Sequence, residues 1–171
     1  YLYNIPGIEN SSFSMINFKQ DITFQSALEN NSIGKNMGID LTFEQFLKNN
    51  FYYLITSSVF DSKYKADDGI WRNTRYSKDF VVNFLAGKEF VVGRSRNNLL
   101  GVNLRGVISR GERYTPLDES ASLIAGYPIY DEDQAFSQRD KTSMFVHLSL
   151  IYRINKAKHS SIWSLQMYNV L

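Results

Sequence analysis

From Met37 to Glu44 the chain alternates without exception, with Met37, Ile39, Leu41 and Phe43 set against Gly38, Asp40, Thr42 and Glu44. Period two is the signature of a strand, because successive side chains leave the backbone on opposite sides. This stretch is therefore a strand with one apolar and one polar face. The longest unbroken apolar run anywhere is Phe51 to Ile55, far below the roughly 18 to 20 residues that a membrane-crossing helix needs. A membrane-crossing strand needs only about 9 to 11 alternating residues, and the pattern leaves that open.

The layout around this strand recurs three times. Lys48-Asn49-Asn50 is a short turn of residues that tolerate positive φ, so Phe51 to about Tyr64 pairs back as a hairpin, although its own alternation is poorer. A second hairpin runs from Phe80 to Val92, turns through Gly93–Asn98 and returns from Leu99 to Ser109. On the return, Leu100, Val102, Leu104 and Ile108 share a face opposite Gly101, Asn103, Arg105 and Ser109. A third pairs Met144–Ile154 with Ile162–Val170, placing Val146, Leu148, Leu150 and Tyr152 opposite His147, Ser149 and Arg153. The connections between hairpins, Lys65 to Lys78 and Arg110 to Thr142, are long, and loops beyond about 12 to 15 residues usually carry function. Ser120 to Ala125 is a candidate short helix in the second loop, whereas Phe43 to Lys48 continues the strand.

Composition removes several kinds of function. With no Cys, the chain holds no disulfide, thiolate zinc site or catalytic cysteine. A net charge of +2 from scattered residues builds no basic stripe, so no nucleic-acid partner is expected. The sequence has no Gly-x-Ser-x-Gly elbow, phosphate loop or His-Glu-x-x-His, so the chain is read as not an enzyme, with no cofactor. His147 and His159 stand apart from other ligating residues, and no metal site is expected. A surface calcium at Asp131-Glu132-Asp133 is the minority reading, because the alternating acidic pattern with a distal Glu is absent. The start, Tyr1 to Pro6, has neither an initiator Met nor a basic and apolar leader, which suggests a processed chain or a piece of a longer one.

Several stretches occur together in order: Gly34 to Thr42, Phe51 to Thr56, Asp61 to Lys65, Gly69-Ile70-Trp71-Arg72-Asn73-Thr74, Leu85 to Phe90, Gly111 to Asp118 and Asn169-Val170. As an ordered set they resemble the barrel of Bacteroidetes TonB-dependent receptors, in which a carboxypeptidase-regulatory-like domain commonly precedes the plug. The resemblance covers residue 34 to the end, with weaker similarity over 1–33. It implies an all-β fold, an antiparallel transmembrane β-barrel segment of three consecutive hairpins with short periplasmic turns and long extracellular loops. The chain would supply about six or seven strands of a barrel of about 22. Residues 1–33 would be an extracellular loop and partial strand, and 34–171 the three hairpins with two long loops. All 171 residues then fall in the C-terminal part of the barrel, with the plug and last strands absent and both sheet edges unpaired.

The same resemblance implies uptake of a small-molecule or oligomeric nutrient (siderophore, oligosaccharide, peptide or cobalamin class) in the outer membrane of a Gram-negative, Bacteroidetes-like bacterium. The partners implied are the TonB–ExbB–ExbD complex acting through the plug, and outer-membrane lipid and lipopolysaccharide. Candidate substrate-binding residues in the loops are Trp71, Arg72, Arg75, Tyr76, Arg113, Tyr114, Tyr127, Tyr130 and Arg139, since aromatic and guanidinium groups stack on and hydrogen-bond ligands. The competing reading is structural, as boundary girdle and loop packing. Asp40, Glu44, Asn103, Arg105, His147 and Arg153 are the expected lumen-facing set. The alternative from another class is a small self-contained barrel, either eight-stranded in the outer membrane or lipocalin-like, that binds a ligand without TonB. A soluble barrel would bury its apolar face; a membrane barrel would turn that face outward.

Overall fold

The computed structural model describes residues 2–18, 27–94 and 96–171. Ten strands dominate it: β1 (Leu2–Gly7), β2 (Glu29–Lys48), β3 (Phe51–Lys65), β4 (Trp71–Asn73), β5 (Phe80–Val92), β6 (Asn98–Ser109), β7 (Arg113–Tyr114), β8 (Gln138–Arg139), β9 (Ser143–Asn155) and β10 (Ser160–Met167). Among the described residues, one helix, α1 (Glu119–Ala125), and two single 3-10 turns, Met15–Asn17 and Glu132–Gln134, complete the elements. Eight strands form one sheet in the order β1-β2-β3-β5-β6-β9-β10, with β4 on β3. β1 and β10 are its edges, and β7 pairs with β8 alone. The strand pairings among the described residues are antiparallel, so the chain is all-β, with an open sheet rather than a closed barrel.

The three expected hairpins are present, with differences at their ends. β2 starts at Glu29, earlier than the alternating core of the pattern, because β1 pairs with its first residues from Leu2↔Lys35 to Gly7↔Glu29. Residues 1–33 thus contribute a whole strand and the beginning of another. The β2–β3 turn places Asn49 and Asn50 at φ 53° and 60°, the left-handed pair that a two-residue hairpin turn requires. The last strand stops at Met167, and Val170 then donates its N–H to the Val146 carbonyl. The expected helix forms at Glu119–Ala125, capped by Asp118 accepting from the Ala121 N–H and closed by Gly126 at φ 76°.

By contact, the chain divides into two compact units: 1–39, 59–80 and 110–142 form unit 1, and 40–58, 81–109 and 143–171 form unit 2. In unit 2 the register fixes the faces. Phe84, Ala86 and Phe90 of β5 lie opposite Gly106, Leu104 and Leu100 of β6, which face Val146, Leu148 and Tyr152 of β9, and the row continues to Met167 and Trp163 of β10. The other face carries Gly87, Asn103 and Ser149 in one row and Leu85, Arg105 and His147 in the next. The weakly patterned β3 follows suit, with Tyr52 and Thr56 on the polar face, where they bond Asn103 and Asn83.

The apolar face is not covered. Leu104 is 38% exposed, Leu165 57% and Trp163 69%, and Val146 is the one buried apolar side chain among the described residues of this unit. Unit 1 has a small core, in which Ile5, Tyr64, Ala66 and Ala135 are buried beside many polar groups, including Ser14, Ser32, Thr74 and Ser77.

Candidate ligand site in the loop unit

The site lies in unit 1, where the long connections fold on themselves. Residues 8–18 form an irregular segment pinned by a bridge between Gly7 and Ser14 and by the Met15–Asn17 turn. The Tyr64 hydroxyl donates to the Ser12 carbonyl at 3.0 Å, and the Ser12 hydroxyl bonds the Glu132 carboxylate. The Asn17 side-chain carbonyl accepts the Arg75 N–H at 2.8 Å, and the Arg75 carbonyl accepts the Arg113 N–H at 2.9 Å. Three sequence-distant segments are thereby tied around one space.

That space is a cavity of about 770 Å³ whose walls include Phe13, Ser14, Asn17, Arg75, Glu132 and Phe136. Arg75, Thr115, Glu132 and Phe136 also line a second cavity of about 810 Å³ together with Tyr114 and Tyr130. The Arg75 guanidinium stands 5.7 Å above the Phe136 ring, a cation–π contact. Phe136 sits at φ 55°, a region that bulky side chains avoid. Its N–H bonds the Thr115 hydroxyl at 3.2 Å, and its ring meets Tyr64 edge-on at 6.1 Å.

A charged knot holds the loop bases. Asp79, itself at φ 61°, accepts from Arg110 Nη1 at 2.8 Å and Arg139 Nη2 at 2.7 Å, with Arg113 Nη2 at 3.7 Å. The Arg139 hydrogen bond holds the Asp79 carboxyl below the ordinary carboxylate range, with the charges of all three arginines acting in the same sense. Burial, then the nearby Arg139 charge, lowers the Arg113 pKa. Three cations against one anion leave Arg113 Nε and Arg139 Nη1 without hydrogen-bond partners among the described residues.

The candidates read from the sequence separate into groups. Arg75, Tyr114 and Tyr130 meet at the cavities, and Arg113 and Arg139 meet at Asp79. Arg72 is buried, 8% exposed, and paired with Asp68 at 2.6 Å. Trp71 is exposed beside the Lys65 ammonium, 5.9 Å from its ring, and the exposed Tyr76 donates to the Phe18 carbonyl at 3.1 Å. Tyr127 lies past α1, beside a separate groove with Leu117 and Leu123. Of the lumen set, Asn103, Arg105 and His147 line a 360 Å³ hollow of unit 2, where His147 Nδ1 accepts the Asn169 N–H at 3.2 Å. Arg153 lies on the same face opposite Leu99 and Ile162, and Asp40 and Glu44 are exposed on β2.

Sequence reading missed Ser14, Asn17, Thr115, Phe136 and Asp79, and weighed Glu132 only as part of a calcium loop. The Asn- and Ser-rich stretch before Phe18 was the available signal for the first two; the rest depend on contacts across more than fifteen residues. Asp131, considered for calcium, caps its own 3-10 turn by accepting from the Asp133 and Gln134 N–H groups, and no group of three ligating side chains occurs among the described residues. No family model, curated protein or solved structure matches the chain.

Proposed function

We propose that this chain forms part of the wall and outer loops of an outer-membrane receptor of the TonB-dependent kind, which captures a nutrient and passes it inward. The carrying observation is sidedness. Across β5, β6, β9 and β10 one face is an uncovered apolar surface and the other carries Asn103, Arg105, His147, Ser149 and Gln166. A soluble barrel or sandwich would bury the first face in a core; lipid covers it at no cost, and a polar lumen accepts the second. The short turns at Asn49-Asn50 and between β9 and β10, against the long loops of unit 1, fit the uneven ends of such barrels. Coupling to TonB, ExbB and ExbD, the nutrient itself and the Gram-negative outer membrane rest on the resemblance of residues 34–171.

The test is membrane assembly. Leu104→Arg and Leu148→Arg each place a cation on the apolar face and are expected to cost about 2 to 4 kcal/mol near the bilayer midplane, so both variants should be depleted from the outer-membrane fraction. Gln166→Arg, on the opposite, polar face of β10 and exposed, should assemble. Normal assembly of the two leucine variants would sink the proposal. A strain lacking the protein should also lose growth on one of a set of defined nutrient sources.

A further inference from the structure

The end of unit 2 that carries the short turns is basic. Residues 48–50, 93–98 and 155–159 hold Lys48, Arg94, Arg96, Lys156 and Lys158, and no Asp or Glu. The three turns lie side by side. The Asn50 carbonyl accepts the Glu89 N–H at 2.8 Å, next to the end of β5. Asn155 donates its N–H to the Asn98 side-chain oxygen at 3.2 Å and its side-chain amide to the Asn97 carbonyl at 2.7 Å. All five cations are exposed, and none is ion-paired among the described residues. Like charges on adjoining turns repel one another, so their counter-charge comes from outside the chain.

The residues just inside the turns say which anion. On the apolar face Phe90, Leu100, Tyr152 and Trp163 form a row, and Phe51 and Tyr53 of β3, with ring centroids 6.0 Å apart, stand on the face opposite Tyr52. Lys88 is the one charged residue on this face of β5, β6, β9 and β10, in a row with Val102, Leu150 and Leu165. Its ammonium lies 5.8 Å from the Phe90 ring, on the side of the turns. A lysine on a lipid-facing surface reaches in this way toward headgroup level. Apolar rows, then aromatic rings, then cations is the sequence that matches acyl chains, interface and phosphates on leaving a bilayer. A free anion is held by groups that converge on one point, whereas these five cations are strung along an edge, which suits a row of headgroups.

We infer that the short-turn rim binds anionic phospholipid headgroups of the leaflet it borders, phosphatidylglycerol being the simplest. The inference rests on the receptor reading, which sets the apolar face against lipid, and adds which lipid the rim selects. The experiment reconstitutes the full chain carrying Trp71→Phe, so that Trp163 is its one indole, in mixed phosphatidylcholine and phosphatidylglycerol vesicles with bromine on the chains of one lipid or the other. Trp163 quenching should show phosphatidylglycerol preferred about fivefold, or about 1 kcal/mol, and about 0.5 M salt should shrink the preference. Replacing Arg94, Arg96, Lys156 and Lys158 together by Gln should abolish the preference, while Arg94→Lys with Arg96→Lys keeps it. Quenching by brominated phosphatidylcholine shows in each variant that the sheet still meets lipid. Lipid A is the competing phosphorylated lipid and should displace phosphatidylglycerol poorly. Quenching by neither phospholipid overturns this inference and the receptor reading together. Equal quenching by both, a preference that survives the Gln substitutions, or ready displacement by lipid A overturns this inference alone.

Discussion

Asp79 shows how much one side chain can organise in a chain with so small a core. It stands immediately before the strand that follows the first long loop and gathers arginines from the second, so a single carboxylate fixes the base of both. Asp79→Asn keeps a residue that tolerates φ near 61° and removes the charge; it should destabilise by about 1 to 3 kcal/mol, measured by denaturant unfolding. The pH dependence has a definite sign. Because the folded pKa lies below the unfolded one, near 3.9, the stabilisation is complete above that value and is lost as pH falls through the depressed folded pKa. Acid titration should therefore loosen this knot in the original chain, with the corresponding step absent from Asp79→Asn. Nothing in the sequence around Asp79 announces this role, because all three partners lie more than thirty positions away.

At the scale of elements, the hairpins were legible because their information is local. Alternation sets the face of each residue, and Asn49-Asn50 carries the backbone conformation that its turn demands. Asn50→Ala should cost about 1 to 2 kcal/mol, the steric penalty of a left-handed alanine, whereas Asn50→Gly should be close to neutral; thermal unfolding of the pair separates turn strain from side-chain loss. β3 was harder to read because Tyr52 is a large aromatic on the polar face. The reason lies on β5, where Gly87 leaves a gap that the Tyr52 ring fills while its hydroxyl donates to Asn103 at 2.7 Å. Gly87→Val closes that gap and should cost about 1 to 3 kcal/mol by overpacking, and Tyr52→Phe about 1 kcal/mol for the hydrogen bond, both by chemical denaturation. β4 and the β7–β8 pair were not legible, being two- and three-residue strands that exist only where distant segments meet. For the same reason the 810 Å³ cavity was visible in outline, through Arg75, Tyr114 and Tyr130, while Ser14 and Asn17 at the wall of the 770 Å³ one were not.

For the molecule as a whole, the question is which surface water should not touch. Burial cannot decide it, since the apolar side chains of β10 are more exposed than many polar ones in unit 1. The register separates the two faces instead: Trp163 lies opposite Tyr152, which lies opposite Leu100 and then Phe90, an aromatic-rich row close to the short turns. Aromatic rows of this kind sit at the boundary of the apolar band in membrane barrels. Ser149 projects from the other face of β9, in the row of Asn103 and Gln166. In detergent whose chains carry bromine, a contact quencher of indole, Trp163 should therefore be strongly quenched in a Trp71→Phe background. A tryptophan introduced by Ser149→Trp, with Trp71→Phe and Trp163→Phe, should keep most of its emission. Equal quenching at the two positions means that both faces of the sheet meet the same solvent, and the division of this chain into a lipid side and a lumen side fails with it.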